Sequence, residues 1–210
     1  YNTIFGYNAL DQATTNANDN TAIGINAMGG AIVAEAVIDC VVVGSGALAG
    51  SLESEASGSV AIGKAALNAI TSGSGNVAVG YQTLLANDEG DYNTAVGHQA
   101  LITADDNSDN TAVGYQALTL AHHGTTDYGW NTAVGKSAGS IVSTGYRNVL
   151  IGQNVCSTGT NNLTTGNNNT VIGTTAIVSA ADADNQIVIG KGATGQADNS
   201  VTLGNADVTA

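Results

Sequence analysis

Asn93-Thr94-Ala95-Val96-Gly97-His98-Gln99-Ala100-Leu101 returns almost unchanged as Asn110-Thr111-Ala112-Val113-Gly114-Tyr115-Gln116-Ala117-Leu118. Weaker copies run the length of the chain, each anchored on a glycine: Gly6, Gly24, Gly44, Gly63, Gly80, Gly97, Gly114, Gly135, Gly152, Gly173, Gly190 and Gly204. Successive glycines lie 14 to 21 residues apart. The motif takes no insertion, whereas the connectors between copies vary in length. Units this short have no room for a core of their own, so each is read as one coil stacked on its neighbours.

The residue before each motif glycine is large and apolar, as in Phe5, Ile62, Val96 and Leu203. The residue three before it is always β-branched, as in Thr3, Val60, Thr94 and Ile187. Such side chains are stiff at χ1 and suit a pleated strand. Between them stands Ala in half of the copies, with Ile4, Val42, Leu150, Val171, Val188 and Thr202 in the others. In a strand the outer pair and the central residue point to opposite faces, so both faces of this strand are largely apolar. A strand apolar on both faces is covered on both sides. One cover is the interior of the coil; the other has to be a neighbouring chain. We assign Val and Ile to the coil interior and Ala, with the motif glycine, to the neighbour, where small residues allow close approach; the reverse assignment stays open.

After the glycine come two variable positions, then usually Ala and an apolar residue such as Leu48, Leu84 or Leu118. This predicts a tight bend and a second short strand. Asn opens most motifs (Asn2, Asn20, Asn76, Asn93, Asn110, Asn131, Asn148, Asn169), where its amide suits a turn and can stack into a ladder. Tyr81, His98 and Tyr115 share one position in consecutive coils and are expected to stack. The fold expected is all-β: one elongated parallel β-solenoid over residues 1–210, of about twelve short coils, roughly 55–60 Å long at ~4.8 Å per coil.

Composition narrows the function classes. Hydrophobic residues make up 43% of the chain, mostly small, with 4% aromatics and no Pro. The 28 glycines follow no triplet period, which excludes collagen. Net charge is −13, with only Lys64, Lys136, Arg147 and Lys191 as cations. No basic patch is available to neutralise phosphates, so neither nucleic acid nor an anionic membrane is an expected partner. No membrane-inserting run or signal peptide stands out, and the chain opens inside a motif at Tyr1-Asn2-Thr3, as a fragment or processed product would. Cys40 and Cys156 fall six coils apart, roughly 29 Å at the strand spacing, too far for a disulfide. Both are read as buried small hydrophobes.

No catalytic signature emerges. Gly44-Ser45-Gly46 and Gly73-Ser74-Gly75 lack the strand–elbow–helix setting of a hydrolase, and no enzymatic role is expected. The connectors hold the candidate sites. Asp105, Asp106 and Asp109 form an oxygen-rich cluster that calcium would accept, although solvated acidic loops explain it more simply. Asp88-Glu89-Gly90-Asp91 is a second such loop, and His122-His123 offers imidazoles. His123, Asp127, Tyr128 and Trp130 form a candidate receptor-binding group, with aromatic platforms for sugar rings and polar partners beside them. The alternative for Trp130, the only Trp, is that it folds back over the edge of the rod.

The repeat resembles the head repeat of trimeric autotransporter adhesins, and the fuller form Asn-Thr-Ala-Val-Gly-Tyr-Gln-Ala-Leu resembles phage tail-fibre shafts more closely. Residues 185–210 are similar to the segment preceding the intramolecular chaperone of tail fibres and tailspikes. The resemblance implies a left-handed parallel β-roll in a side-by-side homotrimer. By implication the chain is a structural and receptor-binding component of a phage or virus tail fibre, extracellular on the virion, meeting a host surface glycan. The alternatives are a bacterial cell-surface adhesin or self-assembling filament and, remotely, a glycan depolymerase. The coils are mostly longer than those of the adhesins, so their loops protrude more, and no binding residue carries over from the structural motif.

Overall fold

The structure is a computed structural model, and it describes residues 1–12, 17–32, 37–53, 56–121 and 129–208. Each motif contributes one strand of three residues, from β1 (Thr3–Phe5) to β12 (Val201–Leu203). The twelve strands form a single parallel sheet in strict chain order, and no described residue is α-helical. Equivalent motif positions pair throughout, as in Thr94 with Thr111, Ala95 with Ala112 and Val96 with Val113. The chain is therefore a parallel β-solenoid of about eleven turns. At ~4.8 Å per turn the sheet runs about 50–55 Å.

The coil interior reverses the assignment made from side-chain size. The central strand residue points inward: Ala61, Ala78, Ala95, Ala112 and Ala133 are fully buried. The β-branched and Val/Ile positions on either side face outward, with Val96, Val113, Val134 and Ile151 each 37% exposed. The bend accounts for the inversion. Leu67, Leu84, Leu101 and Leu118, four residues after their glycines, turn inward and are fully buried, as are Ala66, Thr83, Ala100 and Ala117 before them. In these four coils the bend Leu fills most of the narrow interior and the strand contributes Ala; the coil of Gly44 buries Val42 beside Leu48.

One exchange shows how closely volume is matched. At the bend position usually held by Leu stands Gly139, and a Cβ there would overlap Leu150 Cδ1. Leu150 is the central residue of β9 (Val149–Ile151); in the preceding strand the same position is Ala133. The large side chain has moved from the bend of one turn to the strand of the next, so the core keeps its volume.

The bend is not the second strand expected. Its residues alternate in hand: Gln82 and Leu84 have φ of 52° and 51°, and Gln99 and Leu101 have 57° and 49°. Hydrogen bonds still pass between coils, with Gln82 N–H donating to Lys64 O at 3.0 Å and Leu84 N–H to Ala100 O at 3.1 Å. The ladder is kept while the backbone leaves strand geometry. A left-handed Leu costs roughly 1–2 kcal/mol, which its full burial, contributing about 1.5–3 kcal/mol, offsets.

The motif glycine serves the stack itself rather than a neighbouring chain. Gly97 has φ of +139°, and a Cβ on it would overlap the carbonyl oxygen of Gly114 in the next coil. Neighbouring coils approach so closely along this column that no side chain fits.

The asparagines form the expected ladder inside the rod. Asn93, Asn110, Asn148 and Asn169 are fully buried, and Asn131 nearly so. Asn110 N–H donates to Asn93 Oδ1 at 3.0 Å, Asn131 N–H to Asn110 Oδ1 at 3.1 Å, and Asn148 N–H to Asn131 Oδ1 at 3.0 Å. Each side-chain amide also anchors a connector: Asn93 Nδ2 donates to Asn107 O at 2.6 Å and Asn131 Nδ2 to Gly145 O at 2.9 Å. Gln186 ends the run, its N–H donating to Asn169 Oδ1 at 3.0 Å. Connectors of unequal length are thereby fastened at one conserved height.

Candidate functional site

The solenoid presents three surfaces with distinct chemistry. The first is the outer face of the sheet. Its two outward columns contain only Thr, Val, Ile, Phe and Leu, without a charged residue in twelve strands. Strict register and three-residue strands make both columns continuous from end to end.

The second surface is the column directly after the motif glycine. Tyr81 and His98 stack with ring centroids 5.0 Å apart and planes at 25°; His98 and Tyr115 stack at 5.3 Å and 21°. Lys136 Nζ in the next coil lies 5.9 Å from the Tyr115 centroid. Beside them Gln116 Nε2 donates to Gln99 Oε1 at 3.0 Å, and Gln99 Nε2 to Gln82 Oε1 at 3.1 Å. The expected stack is present. His98 is engaged on both faces, which suits bracing of successive coils better than stacking on a ligand.

The third surface is the elbow preceding the ladder asparagines. Every described coil here needs a left-handed residue, and most use Asp, Asn or Gly: Asp19, Asp39, Gly58, Gly75, Asp109, Asn168, Asn185 and Asn199. Tyr92 (φ 53°), Trp130 (φ 45°) and Arg147 (φ 57°) depart from that rule. Bulky residues in this region are strained, and such strain concentrates at functional positions. Tyr92 is 63% exposed and Trp130 39%. Arg147 Cζ lies 4.6 Å over the Trp130 ring and 5.5 Å from that of Tyr146. Gly75 makes room for Tyr92, since a Cβ there would meet the ring at 2.8 Å.

Of the receptor-binding candidates, Trp130 lies on this elbow, beneath Arg147. His123, Asp127 and Tyr128 lie outside the described residues, as does His122. Tyr92, Tyr146 and Arg147 were not singled out from sequence. The signal was legible, because aligning the repeats puts Tyr, Trp and Arg where other coils carry turn-forming residues.

The acidic connector containing Asp105, Asp106 and Asp109 is built mainly from inter-coil bonds. Asp105 O accepts Asp88 N–H at 3.1 Å, and Asp109 N–H donates to Asp91 O at 2.9 Å. In the neighbouring loop, Asp91 Oδ1 accepts Ser74 N–H at 2.6 Å and Ser74 Oγ–H at 3.0 Å. Among the described residues, no three His, Cys, Asp or Glu side chains are grouped to hold a metal ion.

Cys40 and Cys156 are both free and buried. Burial pushes the Cys156 thiol up to about 12, and it raises that of Cys40 as well. A thiol with a raised pKa carries little thiolate at neutral pH. Alkylation by iodoacetamide at pH 8 is therefore expected to be negligible in the folded chain and rapid in urea. Fast labelling of either cysteine without denaturant would contradict the burial. No helix among the described residues is long and apolar enough to cross a membrane.

Comparison with protein-family models, with curated proteins and with solved structures found no match.

Proposed function

We propose that this chain is a shaft segment of a homotrimeric phage or virus tail fibre, serving as a rigid structural element in attachment to a host surface. The observation that carries the reading is the uncharged outer sheet face. At about 50–55 Å by roughly 10 Å, it offers some 500–550 Å² per chain. Two such faces bury about 1,000–1,100 Å², at the lower bound for a specific interface. Six of the outward residues are Thr and the rest are apolar, and an uncharged patch of this size falls in the range of the largest on a monomer, which is often a functional surface.

Charge on the two rims favours parallel chains. One rim, the column after the glycines, carries Lys64, Lys136 and Lys191. The other, before the ladder, carries Asp19, Asp39 and Asp109, with Arg147 as its one cation. Chains packed side by side and parallel bring opposite rims together; antiparallel packing sets lysines against lysines. Parallel trimers repeat each elbow three times around the rod, so weak contacts to a surface gain from effective concentration. The trimeric count rests on the repeat's resemblance to fibre shafts.

Light scattering of the purified chain is expected to give the mass of three copies. Val96→Asp combined with Val134→Asp is expected to give one copy with an unchanged circular dichroism spectrum, because neither side chain points into the coil. A monomeric wild-type chain would defeat the proposal.

A further inference from the structure

The outer sheet face supplies area but no register. Its two columns repeat Thr, Val and Ile from coil to coil, so two chains slipped by one whole coil keep nearly the same contact. A uniform face specifies register weakly, and charge pairs are a means of fixing it. The charges on the two rims are spaced for that purpose.

Lys64 and Lys136 stand directly after Gly63 and Gly135, which are four coils apart. Asp39 (φ 60°) and Asp109 (φ 61°) stand at the elbows before Gly44 and Gly114, also four coils apart. Each aspartate is one coil earlier than a lysine. All four residues are exposed, and among the described residues none of the four has an ion-pair partner in its own chain. The strand between the two columns holds them about 20 Å apart, too far for pairing within the chain.

In a parallel trimer whose axis follows the rod, rotation leaves every residue at its own height. The after-glycine column of one copy then lies beside the elbow column of the next. At its own height Lys64 meets Gly58 and Lys136 meets Trp130; one coil above stand Gly75 and Arg147. One coil below stand Asp39 and Asp109, displaced by ~4.8 Å along the axis and within reach of an extended lysine. No other whole-coil offset sets two lysines of the one column against two aspartates of the other. Lys191 has Asn168 at that offset and takes no part.

We infer that Lys64 and Lys136 of one copy pair with Asp39 and Asp109 of the next, and that these pairs fix the register of the assembly. The inference rests on the side-by-side trimer and adds which residues meet in it. Carbodiimide joins an amine to a carboxylate only in direct contact. In the full chain it is expected to link Lys64 to Asp39 and Lys136 to Asp109, as read by peptide mapping. Either link has to run between copies, because within one chain the partners are about 20 Å apart. Sedimentation over a dilution series gives a second measure. Lys64→Glu is expected to raise the concentration for half-assembly about tenfold, since a mild attraction at each interface becomes a repulsion. Adding Asp39→Arg restores the pair with its signs exchanged and should return assembly to the wild-type concentration. Arg147 (φ 57°) shows that the elbow accepts arginine. The crossed variant, Lys64→Glu with Asp109→Arg, has the same net charge but spoils both pairs, so a rise of about a hundredfold is expected. Equal assembly of the matched and crossed variants would overturn the inference. So would the absence of both links, or links from these lysines to acids at another offset. A trimer that fails these tests keeps the side-by-side reading and loses only the register pairs, whereas a monomeric wild-type chain loses both.

Discussion

Gly97→Ala is expected to destabilise the rod by more than about 4 kcal/mol, beyond the usual range for one methyl group. Two costs coincide. The backbone sits at φ +139°, and the added Cβ overlaps the Gly114 carbonyl in the next coil. Neither is relieved by a rotamer change, because both colliding groups are backbone within a hydrogen-bonded sheet. Gly58→Ala is the control. Its φ is +70° and nothing lies within 4 Å of the new Cβ, so only the backbone term of about 1–2 kcal/mol remains. Chemical denaturation of both variants measures the difference. In a solenoid each coil contacts only its neighbours, so hydrogen exchange should place the weakened stretch around Gly97 and Gly114. Equal stability of the two variants would contradict the packing described.

Asn131→Ala carries the second large effect. Asn131 Nδ2 donates to Asn110 Oδ1 at 3.3 Å and Gly145 O at 2.9 Å; its Oδ1 accepts from Asn148 N–H at 3.0 Å and Nδ2 at 3.2 Å. Alanine leaves the Asn148 N–H and the Gly145 carbonyl buried without these partners. At about 1–3 kcal/mol for each orphaned group, the expected loss is ~3–5 kcal/mol. Asn131→Asp probes the same site differently. It keeps the acceptor but loses the donor and buries a carboxyl, so its neutral form is favoured and stability is expected to fall as pH rises through its raised pKa. Urea denaturation at pH 4 and pH 8 checks the sign; greater stability at pH 8 would show that the position is not enclosed.

The two ladders were readable from the chain for one reason. A residue type recurring at a fixed motif position must stack on itself once coils are in register, as Asn93, Asn110 and Asn131 do, and as Tyr81, His98 and Tyr115 do. The strand positions were equally legible, since β-branched residues two apart report a pleat. The bend was not. Leu84 and Leu101 carry no mark of left-handed backbone, a conformation that Leu occupies only because its side chain is buried. The elbow site was half legible: Trp130 drew notice as the only Trp, whereas Arg147 acquires meaning from the Trp130 ring 4.6 Å away, in the preceding coil.

The repeated Asn-Thr-Ala-Val-Gly motif by itself determined a stacked parallel coil, its register and its internal ladder, because those follow from periodicity and side-chain type. Tertiary structure alone decided which face of the strand is the core. Ala and Val alternate identically whichever way they point. Only the inward turn of the bend leucines fills the coil, confines Ala95 and Ala112 to the interior, and leaves Val96 and Val113 outside.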